Sequence, residues 1–257
     1  MKITVCIKQV PDVNAPIQIK DGQLIQDSDR NILNAYDASA VEAALVLKEA
    51  HGIDEIDVVL MGPEKAKETI RKALAMGADK GTHIITEESN KYDSFTYAQL
   101  LAAYFKDNEY DYIFCGKQSQ DTDSGLTGSM LAEFLGLPYS TNAVGLEMAE
   151  GTLTVKRQGD SGQEMIEVSS PGLVTCSNDM NDPRIPSLKG IMQSKRKPMD
   201  TISASGLGVD LSEKSIKTKI NSYEEKPERK AGEKFEGEPD EIARKVAQLL
   251  DTEANVI

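Results

Sequence analysis

Tryptophan is absent from this 257-residue chain, and histidine occurs only twice, at His51 and His83. Neither histidine lies near a cysteine or serine motif, which leaves little for a metal centre or a histidine-assisted nucleophile. The three cysteines, Cys6, Cys115 and Cys176, are far apart and form no CxxC pair. Each sits in or at the end of an apolar run, as a small buried hydrophobe does in a reducing compartment. No run of about 18 apolar residues occurs, so no membrane-embedded segment is expected. The opening MKITVCIKQV reads as a strand; its apolar part is too short for a secretion signal. Basic residues are in deficit, 29 against 42 acidic ones, giving a net charge of -13. That balance speaks against a nucleic-acid partner, which needs a basic face. The phosphate-binding motif GxxxxGKS/T is missing, and no GxGxxG follows the first strand. Gly206-Leu207-Gly208 lies in the tail, and where a Ser-Gly-Gly loop would follow strand one the chain reads Lys8-Gln9-Val10-Pro11-Asp12. These absences point away from a free-standing enzyme and toward a cytoplasmic binding or carrier protein.

The composition that remains, 39% apolar and 28% charged, supports a globular core. Strand-like runs at Ile3–Ile7, Ile56–Met61, His83–Ile85 and Tyr112–Cys115 alternate with helical patterns. The helices expected are Asp37–Ala50, with Asp37 or Ser39 as N-cap, then Pro63–Met76, Ser94–Lys106 and Thr127–Leu135. This alternation predicts an α/β fold with a doubly wound, mostly parallel sheet. Residues 140–176 read differently, with turns at Glu150-Gly151 and at 159–162, so antiparallel strands are expected beside the parallel ones. After about residue 183 the chain becomes proline-punctuated, and over 210–239 it is charged and poor in apolar residues. We expect a nucleotide-binding domain over 1–190 and an extended C-terminal arm over 191–257. The arm ends in a helix with Ile242, Val246, Leu249 and Leu250 on one stripe. Such a stripe suits burial against another chain.

In open α/β sheets ligands sit beyond the carboxyl ends of the strands, where strand order reverses. The segments at those ends are Lys8 to Asp12, Met61 to Pro63 and Gly116 to Gly128, with Asn34-Ala35-Tyr36-Asp37 at the start of the first crossover helix. Ser124, Gly125, Thr127, Gly128 and Ser129 stand before or at a helix start. Glycine backbone, hydroxyls and helix amides there form a plausible phosphate cradle. Asp121 and Asp123 would repel a phosphate beside them and suit capping or sugar contacts.

Several longer segments carry a resemblance: VCIKQVPD at 5–12, NAYDASAVEAALVLKE at 34–49, GPEKAKETIRKALAMGADKG at 62–81, CGKQSQDTD at 115–123, and PGLVTCSNDMNDPRIPSLKGIMQSKRK at 171–197. With them the chain resembles the beta (small) subunits of electron-transfer flavoproteins, the FixA-like family. A Lys-Arg stretch and a proline-preceded strand lie between Val155 and Cys176, as in that family, although 159–162 supplies one acid where the family often has two or three. The resemblance implies an adenine-nucleotide alpha-hydrolase-like fold and a heterodimer with an alpha subunit that carries the redox-active FAD. It implies that this subunit holds AMP, or a second FAD in electron-bifurcating members. Electrons would pass between an acyl-CoA dehydrogenase or similar flavin dehydrogenase and a quinone-linked or other acceptor. Carried over by position, the nucleotide contacts fall at Cys6, Asn34, Ala35, Tyr36, Asp37, Met61, Ser119, Gln120, Asp121, Thr122, Asp123, Ser124, Gly125, Leu126, Thr127, Gly128, Ser129 and Met130. Asn34-Ala35 departs from the commoner Asn-Pro.

The resemblance also makes Leu188 the anchor of a partner-recognition loop, with Lys195-Arg196-Lys197 steering the encounter. Bifurcating relatives tend to carry a proline where this chain has Ser129, which keeps its amide. Four first-turn amides, at Thr127, Gly128, Ser129 and Met130, suit a monophosphate, so the reading favours AMP over FAD. A stand-alone adenine-nucleotide-binding regulatory module is the alternative of another class; the long arm speaks against it.

Overall fold

Short β-branched runs and alanine-rich segments fold in the alternation their periodicity predicts. The computed structural model describes residues 1–25, 30–87, 92–212, 215–227, 232–254 and 256. The first strands are β1 (Lys2–Ile7), β2 (Gln9–Pro11), β3 (Gln18–Lys20), β4 (Gln23–Ile25) and β5 (Asn31–Leu33). Then come α1 (Ala35–His51), β6 (Glu55–Gly62), α2 (Lys67–Met76), β7 (Lys80–Ile85), α3 (Ser94–Lys106), β8 (Tyr112–Gly116) and α4 (Thr127–Leu135). The chain continues with β9 (Tyr139–Ala149), β10 (Thr152–Gly159), β11 (Gly162–Val168), β12 (Gly172–Cys176), α5 (Leu188–Ser194), β13 (Met199–Ser203) and α6 (Pro239–Thr252).

Among the described residues nine strands form the main sheet, in the order β11-β10-β9-β12-β8-β1-β6-β7-β13. β1 pairs in parallel with both β6 and β8, and β12 in parallel with both β8 and β9. β10 opposes its two neighbours, so it alone runs against the sheet. The turns at Glu150-Gly151 and at 159–162 are the ends of that one strand. The fold is therefore doubly wound α/β, with helices on both faces. α1 and α2 cover Val5, Val58 and Phe114 on one face. α3 and α4 cover Val59, Ile84, Ile113 and Leu173 on the other.

The expected boundary near residue 190 falls ahead of the sheet's last strand. β13 pairs with β7 from Met199↔Gly81 to Ser203↔Ile85. Its sequence, Met-Asp-Thr-Ile-Ser, is short and half exposed, so it gives no apolar run to read. Contacts divide the chain instead into 1–222 and 223–257. Besides that pairing, side-chain bonds tie 191–222 to the core, those of Lys197 and Asp93 among them. The Lys197 ammonium donates to Leu74 O at 2.9 Å, Gly77 O at 3.3 Å and Ala78 O at 2.6 Å, satisfying carbonyls at the end of α2. It is therefore not a free member of the basic cluster; Lys195 and Arg196 are the exposed pair. Asp93 caps α3 through Thr96 N and Oγ1, both at 2.9 Å, while its other oxygen accepts from the amides of Lys217 and Thr218. In 223–257, α6 opens with proline in its first turn and leaves Ile242, Val246 and Leu249 half-buried. Within that unit the Lys245 ammonium lies 4.6 Å from the Phe235 ring centre.

Replacing Lys197 with methionine keeps the apolar stem and strands the α2 carbonyls. Urea unfolding is expected to show a loss of about 1–3 kcal/mol, whereas Lys195→Met stays within about 0.5 kcal/mol of wild type. Equal midpoints for the two variants would refute the capping role.

Candidate functional site

Strand order reverses at β1. The chain moves outward through β6 and β7, then returns to place β8 on the other side of β1. The carboxyl ends of β1 and β8 thus diverge into separate loops, and the space between them is the crevice where such sheets take ligands. Asp37, one turn into α1, closes its base. Its carboxylate accepts from the Lys8 amide at 2.7 Å, just past β1, and from the Gly116 amide at 3.0 Å, at the end of β8. Gly116 must lack a side chain: a Cβ there would lie 2.2 Å from Asp37 Oδ1 and 2.9 Å from the Asp37 backbone nitrogen. Asp37 is therefore a structural clamp in the first turn, and Asn34 holds the N-cap position of α1 instead of Asp37 or Ser39.

Asn34 does not cap its own helix through its side chain. It is fully buried and holds the opposite loop, donating to Gln118 O at 2.8 Å and accepting from the Gln120 amide at 3.2 Å. The Gln120 side chain answers by accepting from the Ala35 amide at 3.2 Å. The Lys8 ammonium crosses the crevice to both Asp121 oxygens at 2.9 Å and to Ser119 Oγ at 3.3 Å. The Asp121 carboxylate, expected to repel a phosphate, is thus neutralised by Lys8. Ser119 and Thr122 pair through their hydroxyls at 2.9 Å, and Asp123, in the left-handed region at φ 52°, accepts from Gln118 Nε2. Residues 122–126 are exposed, with Leu126 at 57%.

α4 begins where this loop ends. The amides of Thr127, Gly128 and Ser129 belong to its first turn and have no carbonyl one turn back to bond. The Met130 amide differs from the expectation: it donates to Leu126 O at 3.0 Å, leaving three open donors. Gly128 lets the helix sit flush on the sheet, since a Cβ would stand 2.6 Å from Thr175 Cγ2. Beside that turn, Cys6, Met61 and Met130 are half-buried against the core face of α3 and α4. Cys6 and Cys115 are register partners; the Cys115 thiol and burial push the Cys6 thiol up, so Cys6 is not an activated nucleophile. Tyr36 is half-buried beside Gly116. The crevice therefore offers three convergent amides at a helix N-terminus, a soft apolar wall, and backbone polar groups at 34–37 and 117–120. That set suits an adenine nucleotide's phosphate and ring. Among the described residues no group of three His, Cys, Asp or Glu is arranged to hold a metal ion. Two depressions are found, one lined by Thr82, Tyr104 and Asp200 and one, beside the residues that follow β1, by Gln9, Leu33, Lys65 and Thr69. His83 is buried with Nε2 3.1 Å from Gly62 O, and burial lowers its pKa, consistent with a core role.

The sequence brought these segments together but missed three participants. Lys8, Gly116 and Gln118 make the crevice's cross-links, and only Lys8 carried a visible signal, a lone cation ending an apolar strand.

Burial pushes the Asp37 carboxyl up to about 7, against the donors Lys8, Asn34 and Gly116 that pull it down. An acid whose folded pKa is raised gives stability that is present at low pH and lost as pH rises. The window runs from about 4, the ordinary carboxylate value, to about 7. Asp37→Asn is expected to remove that decline: the wild-type minus variant stability should fall steadily from pH 4 to 7. A flat difference across that range would overturn the assignment.

Residues 21–207 match the electron transfer flavoprotein domain model. The electron transfer flavoprotein subunit beta of Syntrophomonas wolfei is 37% identical over 256 residues, covering all of this chain and 98% of that one. The Bos taurus subunit beta is 35% identical over 248 residues, covering 95% and 96%. The caffeyl-CoA reductase-Etf complex subunit CarD of Acetobacterium woodii is 37% identical over 211 residues, covering 81% and 80%. The first two are named as electron transfer flavoprotein subunits and the third as a subunit of a reductase-Etf complex. The amide cradle, the switch-point crevice and the near-full-length matches agree, and the chain belongs to the beta-subunit family of electron transfer flavoproteins.

Proposed function

We propose that this chain is one half of a heterodimeric electron-transfer flavoprotein, holding AMP in the crevice and pairing with an alpha subunit that holds most of the FAD. The observation that carries the nucleotide reading is the first turn of α4, which opens with three free amides at the end of the loop after β8, where the acid Asp121 is already paired to Lys8. Three donors on one helix N-terminus match a single phosphate. AMP supplies no redox chemistry; it binds the folded state and stabilises it by mass action. Cys6, Met61 and Met130 would flank the ring, while Asn34, Ala35, Tyr36 and Gln120 would frame its edge. Electrons would enter from an acyl-CoA dehydrogenase or similar flavin enzyme docked at Leu188, and leave to a quinone-linked acceptor. No helix among the described residues is long and apolar enough to cross a membrane, which fits a cytoplasmic carrier.

FAD in the same crevice is the second reading. Residues 122–126 are exposed at its mouth and leave room for a longer nucleotide, and one relative is named as part of a caffeyl-CoA reductase-Etf complex. Ser129 favours AMP, because its amide is kept where a proline would remove it. A stand-alone regulatory module would have no use for an α6 stripe left half exposed.

Denaturing the purified heterodimer and chromatographing the released nucleotides decides between the readings. One FAD and one AMP per heterodimer is the expected result; two FAD and no AMP overturns it. The α6 stripe carries a separate expectation. Deleting residues 235–257 should leave a folded chain, because the core clusters of 1–222 are formed by that unit's own residues. The truncated chain should then associate with the alpha subunit at least about tenfold more weakly. Unchanged affinity in titration would count against the arm as an interface.

A further inference from the structure

Leu188 is 83% exposed, Ile185 91% and Met192 72%. A leucine anchor is useful only if the loop that carries it is already in place, since ordering a loop on binding subtracts from affinity. Residues 177–187 contain no strand or helix, so something other than a hydrogen-bonded ladder must fix them. That fixture is an arginine fork. Arg184 Nε donates to Glu42 Oε2 at 2.8 Å and Nη2 to Glu42 Oε1 at 2.9 Å, a bidentate pair. Its Nη1 reaches Glu49 Oε1 at 2.5 Å and Nη2 reaches Glu49 Oε2 at 3.2 Å. The Arg184 amide also donates to Glu42 Oε2 at 3.0 Å, so backbone and side chain are held by one buried carboxylate. Upstream, Asn181 Nδ2 donates to Ser39 O at 3.1 Å, on the same helix. Downstream, Ser187 caps α5 by accepting from the Gly190 amide at 3.1 Å, and the Arg71 side chain holds Ser194 O and Lys197 O. The exposed apolar residues thus sit between two fixed points, one on α1 and one on α2.

We infer that Arg184, clamped by Glu42 and Glu49, is the positioning residue for partner docking: it presents Ile185 and Leu188 in the docking conformation before the dehydrogenase arrives. The inference rests on the reading that Leu188 docks the partner, and goes beyond it in naming what holds the anchor. Glu42 is the principal partner, with a side chain 9% exposed; Glu49, at 61%, is auxiliary. A lysine at 184 would keep the charge and lose the fork.

The test uses the full heterodimer as electron acceptor for an acyl-CoA dehydrogenase reduced by its acyl-CoA. Four forms are compared: wild type, Leu188→Ala, Arg184→Lys, and the double variant Arg184→Gln with Glu42→Gln. The double variant removes both charges together, so no unpaired carboxylate is left buried to unfold the chain. The heterodimer concentration at half-maximal rate should rise about tenfold in the double variant and less in Arg184→Lys, as lost preorganisation implies. The saturated rate, FAD content and melting temperature should stay near wild type. A normal half-saturation in the double variant beside a raised one in Leu188→Ala overturns the positioning role. So does a fall in melting temperature or saturated rate with half-saturation unchanged. A normal half-saturation in Leu188→Ala removes the docking reading itself.

Discussion

One carboxylate sets the geometry of the crevice. Asp37 takes the amide after β1 and the amide ending β8, which fixes how far the two strand ends stand apart. A buried carboxylate, even with donors at Lys8, Asn34 and Gly116, is an expensive choice in a low-dielectric interior. A neutral side chain could not accept both bonds with the same geometry, so the site keeps an acid under strain of protonation. Gly116 follows from it, because any Cβ there would collide with that carboxylate. The Asn34–Gln118–Gln120 exchange and the Lys8–Asp121 pair then build upward from the same base.

α1 therefore has two duties. Its first turn forms one wall of the crevice, and its middle and end hold the loop before α5 through Ser39, Glu42 and Glu49. Little of its surface is spare: from Asp37 to Leu47 only Val46 is exposed. Its apolar residues consequently do not fall on one stripe, as they do in a helix with a free outer face. The sequence pattern at helical spacing saw the core side of α1 and could not see that Glu42 was buried under an arginine 142 residues away.

Legibility followed locality. β1, β6 and β8 were readable because strands buried on both faces are continuous apolar runs, β7 only at its apolar end from His83, and α4 because glycine marks its end. β2 to β5 were not, being three-residue pieces, β3 and β4 with exposed alternation. β13 was hidden for the same reason. The segments that meet at the crevice could be gathered, because strand ends converge wherever a parallel sheet changes direction. Their cross-links could not: Asn34 ties the opposite loop at 118 and 120, and Asp121 is paired with Lys8. Polar partnerships between residues 80 or more positions apart leave no periodic trace.

The last consequence concerns the knot at Asp93. Because that side chain binds both the start of α3 and the backbone of Lys217 and Thr218, the chain leaves the main unit from a fixed point. Between Ser222 and α6 lie about 16 residues, a contour of at most roughly 55 Å. A helix on such a leash meets any surface already held by the main unit as an intramolecular partner, at an effective concentration in the millimolar range. The stripe of Ile242, Val246, Leu249 and Leu250 would then need little intrinsic affinity to stay on a partner that the main unit already held.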